Sequence, residues 1–148
     1  MAAARPWLVA GGLLSAAASL LHVACIVGGP DWYRFFGAGE QVARAAERGA
    51  AWPALLTLGI AAVLAIWAAY AFAGAGLLRR LPLMKPALVA ISAVYLLRGL
   101  LLVPLLLASG PVPPFDLWSS LIVLVYGTVY AVGTWLAWPD LSNRRIVT

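Results

Sequence analysis

The amino-acid sequence predicts an all-α fold: a polytopic transmembrane four-helix bundle with a short interfacial helix in the first outer loop. The chain has 148 residues, 64% hydrophobic and 10% charged, with a mean hydropathy of +0.97. That leaves too little polar surface to coat a water-soluble domain. Four apolar runs, Trp7 to Gly28, Trp52 to Leu78, Ala87 to Ala108 and Leu117 to Trp138, reach the roughly 20 residues that cross a hydrocarbon core of about 30 Å. These spans use most of the chain, so residues 1–148 are expected to form one transmembrane domain.

The first run ends at Gly28-Gly29-Pro30, where glycine and proline halt a helix. It is too long for the apolar core of a cleavable signal peptide, and "LHVAC" carries His22 where a lipoprotein signal needs an aliphatic residue. An uncleaved span is expected. Cys25 is the single cysteine, so no intramolecular disulfide can form. Gly11, Ser15, Ser19, His22 and Ile26 follow one helical stripe, a small-residue pattern that lets a second helix approach closely.

Between the first two spans lies the loop 29–51. Trp32, Tyr33, Phe35 and Phe36 suit the headgroup layer, where an aromatic ring is half buried. Gly37 and Gly39 permit a sharp turn into a short helix near residues 38–49, in which Glu40 and Arg44 are spaced as an i,i+4 pair. The segment reads as a lid on the bundle; where it dips inward, Glu40 or Asp31 becomes the counter-ion for an intramembrane arginine.

The second span stops at Arg79-Arg80-Leu81-Pro82 and the third at Ser109-Gly110-Pro111. Within the third, Ala87, Ile91, Val94, Tyr95, Arg98, Leu102 and Leu105 share a face that is expected to point inward. Pro104 removes an N–H donor, frees the Leu100 carbonyl and kinks the helix. Asp116 is placed to cap the fourth span, whose Ser119, Tyr126, Tyr130 and Gly133 share a face. Six of the seven tryptophans fall near span ends, and Trp67 alone lies well inside one.

Basic residues set the orientation. Arg5, Arg79, Arg80, Lys85, Arg144 and Arg145 fall on one side, whereas Arg34, Arg44 and Arg48 fall on the other, beside Asp31, Glu40 and Glu47. Both termini are therefore expected in the cytoplasm and the 29–51 loop outside. The net charge of +5 is a topology signal and an attraction to anionic lipid; nothing in it points to nucleic acid. The sequence shows no CxxC, no phosphate-binding glycine loop and no Ser/His/Asp set within the spans. No metal site and no cofactor are predicted, since His22 and Cys25 have no evident co-ligands.

What remains is polar residues inside the membrane, which are costly and so informative. Arg98 leads them. A guanidinium keeps its charge and must find an anion, water or carbonyl oxygens, and no span contains an aspartate or glutamate. Tyr95, His22 and Tyr126 are expected beside it in the middle to outer half of the bundle. Each has a plainer reading. His22 serves first as a hydrogen-bonded packing residue and only then as a catalytic acid or base. Tyr126 packs, and Arg98 divides between structural pairing with a loop carboxylate and recognition of an anionic ligand.

Two stretches, "LLHVACIVGGPDWYRFFGAGE" and "RRLPLMKPALVAISAVYLLRGL", resemble a group of small four-helix inner-membrane proteins of Gram-negative bacteria over nearly the whole chain. The resemblance implies a bacterial inner membrane, multi-pass location, and "SAVYLLRGL" places Tyr95 and Arg98 in the shared pattern. It carries over no activity, ligand or catalytic residue. Three functions remain open: binding of a lipid or other anionic amphiphile at Arg98; a structural or accessory subunit that assembles with itself or with a partner membrane protein; and a membrane-embedded enzyme using His22 and Arg98.

Overall fold

The computed structural model describes residues 2–107 and 113–142, with Leu105 and Ser142 described by their backbone alone. Expectations for Ser109 to Pro111, Arg144 and Arg145 lie outside the described residues, as does that for the Leu105 side chain. Among the described residues there are seven helices and no strand: α1 (Ala4–Gly28), α2 (Pro30–Phe35), α3 (Glu40–Glu47), α4 (Trp52–Gly74), α5 (Met84–Leu100), α6 (Leu102–Leu107) and α7 (Pro114–Ser142). Four stretches are long and apolar enough to cross a membrane: α1, α4, Met84–Pro104 and Pro114–Leu141. The all-α fold with four spans holds, and this is a multi-pass membrane protein.

Helix ends depart from the hydropathy pattern where local chemistry overrides it. α4 stops at Gly74, short of Leu78, because the chain closes a Schellman motif. The Leu77 N–H donates to the Phe72 carbonyl at 2.9 Å and the Gly76 N–H to the Ala73 carbonyl at 3.1 Å, with Gly76 at φ 76°, a conformation open to glycine. The third span breaks at Leu101, as Pro104 predicts: its ring crowds the Leu100 carbonyl and offers it no N–H, so α5 ends at Leu100 and α6 resumes at Leu102. α7 begins at Pro114, whose fixed φ suits a first helical position. Asp116 therefore lies inside the first turn and is not the cap; there its charge complements the helix dipole.

The helices divide into two compact units, one from the described residues of Met1–Leu14 and Trp67–Thr148, the other from Ser15–Ile66. In the first, four helical segments close a ring of contacts. α5 and α7 meet backbone to backbone: a Cβ built on Gly99 falls 2.6 Å from the Leu124 Cα, and one on Gly127 falls 2.7 Å from the Leu96 nitrogen. α1 meets α4 where Gly12 lies under the Phe72 ring, α1 meets α7 where Leu8 covers Gly133, and α4 meets α5 where Gly74 faces Leu88. Tyr130, Leu8 and Leu88 are fully buried at the centre.

Trp67, the tryptophan that sits away from any span end, now has a reason to be there. Its ring meets Tyr95 edge-on at 4.9 Å, Tyr95 meets Tyr126 and Tyr130 at 5.5 Å each, and the Tyr130 hydroxyl donates to the Trp67 carbonyl at 3.1 Å. Offset and edge-on rings are favoured pairings, and the hydroxyl satisfies its polar atom internally. At the far end of α7, Arg80 donates to the Asp140 carbonyl at 2.8 Å and Lys85 stands 4.3 Å over the Trp138 ring, so cations meet the negative end of the helix dipole.

In the second unit, the stripe read from α1 faces protein. Ser15 is fully buried, Ser19, His22 and Ile26 are half-buried, and the Ser19 hydroxyl donates to the Ala61 carbonyl of α4 at 2.8 Å. The expected short helix is α3, with Gly39 (φ 94°) before it and Gly49 (φ 74°) after it. α2 is an element beyond that expectation. Its signal is present in the sequence: Pro30 at the first helical position, Asp31 in the first turn and Gly37 (φ 68°) just past the end, the usual order of helix start and stop residues. α2 and α3 enclose a small core of Cys25, Tyr33 and Ala43, with Phe36, Val42 and Ala46 against it.

The reciprocal glycine contact makes a sharp prediction. Gly99→Ala and Gly127→Ala each push a Cβ into the facing backbone and are expected to lower unfolding free energy by roughly 1 to 3 kcal/mol. Gly59→Ala, whose Cβ meets nothing within 4 Å, is expected to cause no loss. Unfolding in detergent–denaturant mixtures measures all three, and equal effects at the three positions contradict the contact.

Candidate functional site

Arg98 occupies the last turn of α5, next to Gly99, and this places its head against α7. Nη1 donates to Ser120 Oγ at 3.0 Å and Nη2 makes a longer contact, 3.5 Å, to Ser119 Oγ. The Ser119 hydroxyl donates in turn to the Asp116 carbonyl at 3.3 Å. Only two of the five guanidinium N–H groups are thus engaged among the described residues, both by neutral oxygens. Arg98, Leu101, Pro104, Asp116 and Ser120 line a cleft of about 480 Å³. Arg98 and Asp116 share this cleft without an ion pair between them.

The orientation of α5 corrects the sequence reading. Its buried side carries Met84, Leu88, Ile91, Ser92, Tyr95 and Gly99, whereas Val94 and Arg98 are exposed. The stripe is rotated because the α7 contact centres on Gly99, where the lack of a Cβ permits the closest approach. Tyr95 and Tyr126 do meet, ring to ring, one helical turn from Arg98. Ser120 is the residue that hydropathy reasoning passed over. Its signal is the pattern Asp116-Leu117-Trp118-Ser119-Ser120, three polar side chains in the first two turns of an otherwise apolar helix.

The remaining predicted residues lie in the second unit. His22 Nδ1 is 2.8 Å from the Ala18 carbonyl; a carbonyl only accepts, so this nitrogen carries a proton. The loop carboxylates converge on Arg34. Arg34 Nε donates to Glu40 at 2.9 Å, Nη2 to Glu47 at 2.7 Å, and Nη1 approaches Asp31 at 3.4 Å. Glu40 also accepts from Arg44 at 2.9 Å, the expected i,i+4 pair. Where the sequence suggests Arg98 as partner for Glu40 or Asp31, the structure gives both carboxylates Arg34.

The lid aromatics split by direction. Tyr33 is buried, and its hydroxyl has no hydrogen-bond partner among the described residues. Trp32 folds over Gly28, the Phe36 ring meets Trp32 at a tilt (5.7 Å) and Phe35 edge-on (4.9 Å), and Phe35 is 73% exposed. No group of three His, Cys, Asp or Glu side chains suited to a metal occurs among the described residues.

The Arg34 network predicts a pH response. Hydrogen bonds from Arg34 and then Arg44 hold the Glu40 carboxyl down to about 2. A carboxyl depressed by folding adds stability above its unfolded value, about 4.3, and loses it as pH falls through the folded value. The difference in thermal stability between wild type and Glu40→Gln is therefore expected to be full above pH about 4.5 and to vanish near pH 2. A pH-independent difference over that window contradicts the pairing.

No protein-family model, curated protein or solved structure matches this chain, so the functional reading rests on the geometry of the Arg98 cleft.

Proposed function

We propose that this protein binds an amphiphile through an anionic group at Arg98, and that it does so in the inner membrane of a bacterium with both termini in the cytoplasm. One observation carries the reading: a guanidinium within the membrane-spanning stretch Met84–Pro104 is held by two neutral hydroxyls and lines a cleft walled by Leu101 and Pro104. Serine oxygens orient the guanidinium but leave its charge uncompensated, and a charge in or near hydrocarbon is stabilised by an anion. The apolar wall favours a ligand with an alkyl portion.

The location rests on the sequence resemblance and the orientation on the basic residues, with Arg5, Arg79, Arg80 and Lys85 expected inside. Cysteine-accessibility labelling checks the orientation. Arg44→Cys in a Cys25→Ala background is expected to react with a membrane-impermeant reagent from outside only, and labelling from the cytoplasm reverses the topology.

A charge-assisted hydrogen bond to an anionic group is worth on the order of 1.5 to 3 kcal/mol, so Arg98→Gln is expected to weaken retention of an anionic lipid about ten- to a hundredfold. Native mass spectrometry of wild type and variant, matched for thermal stability, measures it. Arg98→Lys is expected to keep part of the binding. Equal retention by wild type and Arg98→Gln makes Arg98 a structural residue and moves the scaffold reading, a self-assembling or accessory subunit, to first place.

A further inference from the structure

The Arg98 cleft holds a second charge that a site for a simple anion does not need. Asp116 lines the cleft with Arg98, yet the guanidinium turns to Ser120 and Ser119 and forms no ion pair with it. A carboxylate on the wall repels any ligand whose headgroup is purely negative. It attracts a ligand that carries a cation beside its anion.

We propose that the cleft selects a zwitterionic amphiphile with a primary ammonium next to a phosphate, an aminophospholipid of the phosphatidylethanolamine kind, with its phosphate on Arg98 and its ammonium on Asp116. This rests on the reading of Arg98 as an anion site. The Ser120 hydroxyl, fully buried, accepts from Arg98 and so fixes the guanidinium on the wall of the cleft. A primary ammonium has three N–H donors for the Asp116 carboxylate. A quaternary ammonium has none and is held instead by aromatic faces, and among the described residues the cleft lining, Arg98, Leu101, Pro104, Asp116 and Ser120, includes no aromatic side chain. Leu101 and Pro104 supply an apolar wall that a lipid uses and a free headgroup does not.

The test titrates full-length protein in mild detergent with phosphatidylethanolamine, phosphatidylcholine and phosphatidylglycerol of one acyl composition, and with water-soluble glycerophosphoethanolamine as competitor. Wild type is expected to retain phosphatidylethanolamine about tenfold more strongly than either other lipid, the usual scale for one charge-assisted contact. Asp116→Asn is expected to erase that preference by raising phosphatidylglycerol and lowering phosphatidylethanolamine, and Asp116→Glu to restore it. Arg98→Gln is expected to weaken all three lipids. A wild type that favours phosphatidylglycerol, that holds phosphatidylcholine as well as phosphatidylethanolamine, or that keeps its preference in Asp116→Asn overturns the zwitterion assignment while leaving Arg98 as an anion site. Full displacement by the soluble competitor at lipid-like concentration overturns the lipid assignment. Unchanged retention of every lipid by Arg98→Gln overturns the underlying anion site itself.

Discussion

The close approach of α5 and α7 through Gly99 and Gly127 is the contact on which the Arg98 cleft depends. With lipid on one side and protein on the other, helices in a bilayer gain nothing from burying one more leucine; they gain from dense packing and short polar contacts. Gly99 sets the α5 backbone directly against Leu124 of α7. Arg98 is the neighbouring residue and Ser120 lies one helical turn from Leu124, so the same contact that packs the helices brings the guanidinium within 3.0 Å of the serine hydroxyl. A Cβ on Gly99 meets the Leu124 backbone and forces the helices apart at the point that sets Arg98 against Ser120.

Pro104 shapes the other wall. It frees the Leu100 carbonyl and interrupts the helix at Leu101, before α6. Leu101 and Pro104, on either side of the resumed helix start, both line the cleft. The glycine contact and the proline break lie only five residues apart. Together they convert the end of a packed helix pair into a recess with a cation in it.

The four spans were legible because a bilayer imposes length and apolarity on any helix that crosses it, and the broken third span because Pro104 cannot complete a helical bond. The small stripe on α1 was legible for a related reason: Ser15 and Ser19 are too polar for lipid and small enough for a helix contact. Helix rotation was not. Tyr95 and Arg98 are three residues apart, and periodicity alone assigns them to one face. Which of them is buried depends on where the partner makes its closest approach, here at Gly99, and that is a tertiary fact. The second partner of Glu40 was hidden in the same way: Arg44 follows from i,i+4 spacing, but Arg34 reaches it only once α2 has formed and the chain has turned at Gly37.

Arg34 and Arg98 divide the electrostatics sharply. Arg34 has three carboxylates within reach in a solvent-accessible loop, where screening by water leaves each pairing weak. Arg98 stands where an anion has the most to contribute, within a spanning stretch, and its partners are two hydroxyls. If charge compensation were the only requirement, the carboxylate of Asp116, already in the cleft, would close on the guanidinium. Serines hold the head of Arg98 elsewhere, so the two opposite charges stay apart and both stay available. An ion pair formed within the chain stabilises the fold and presents little to a ligand; a pair held open gives up that contact and presents two. This separation sets the cleft apart from a salt bridge, and on the proposed reading it makes the charges readable by a headgroup that carries the complementary pair.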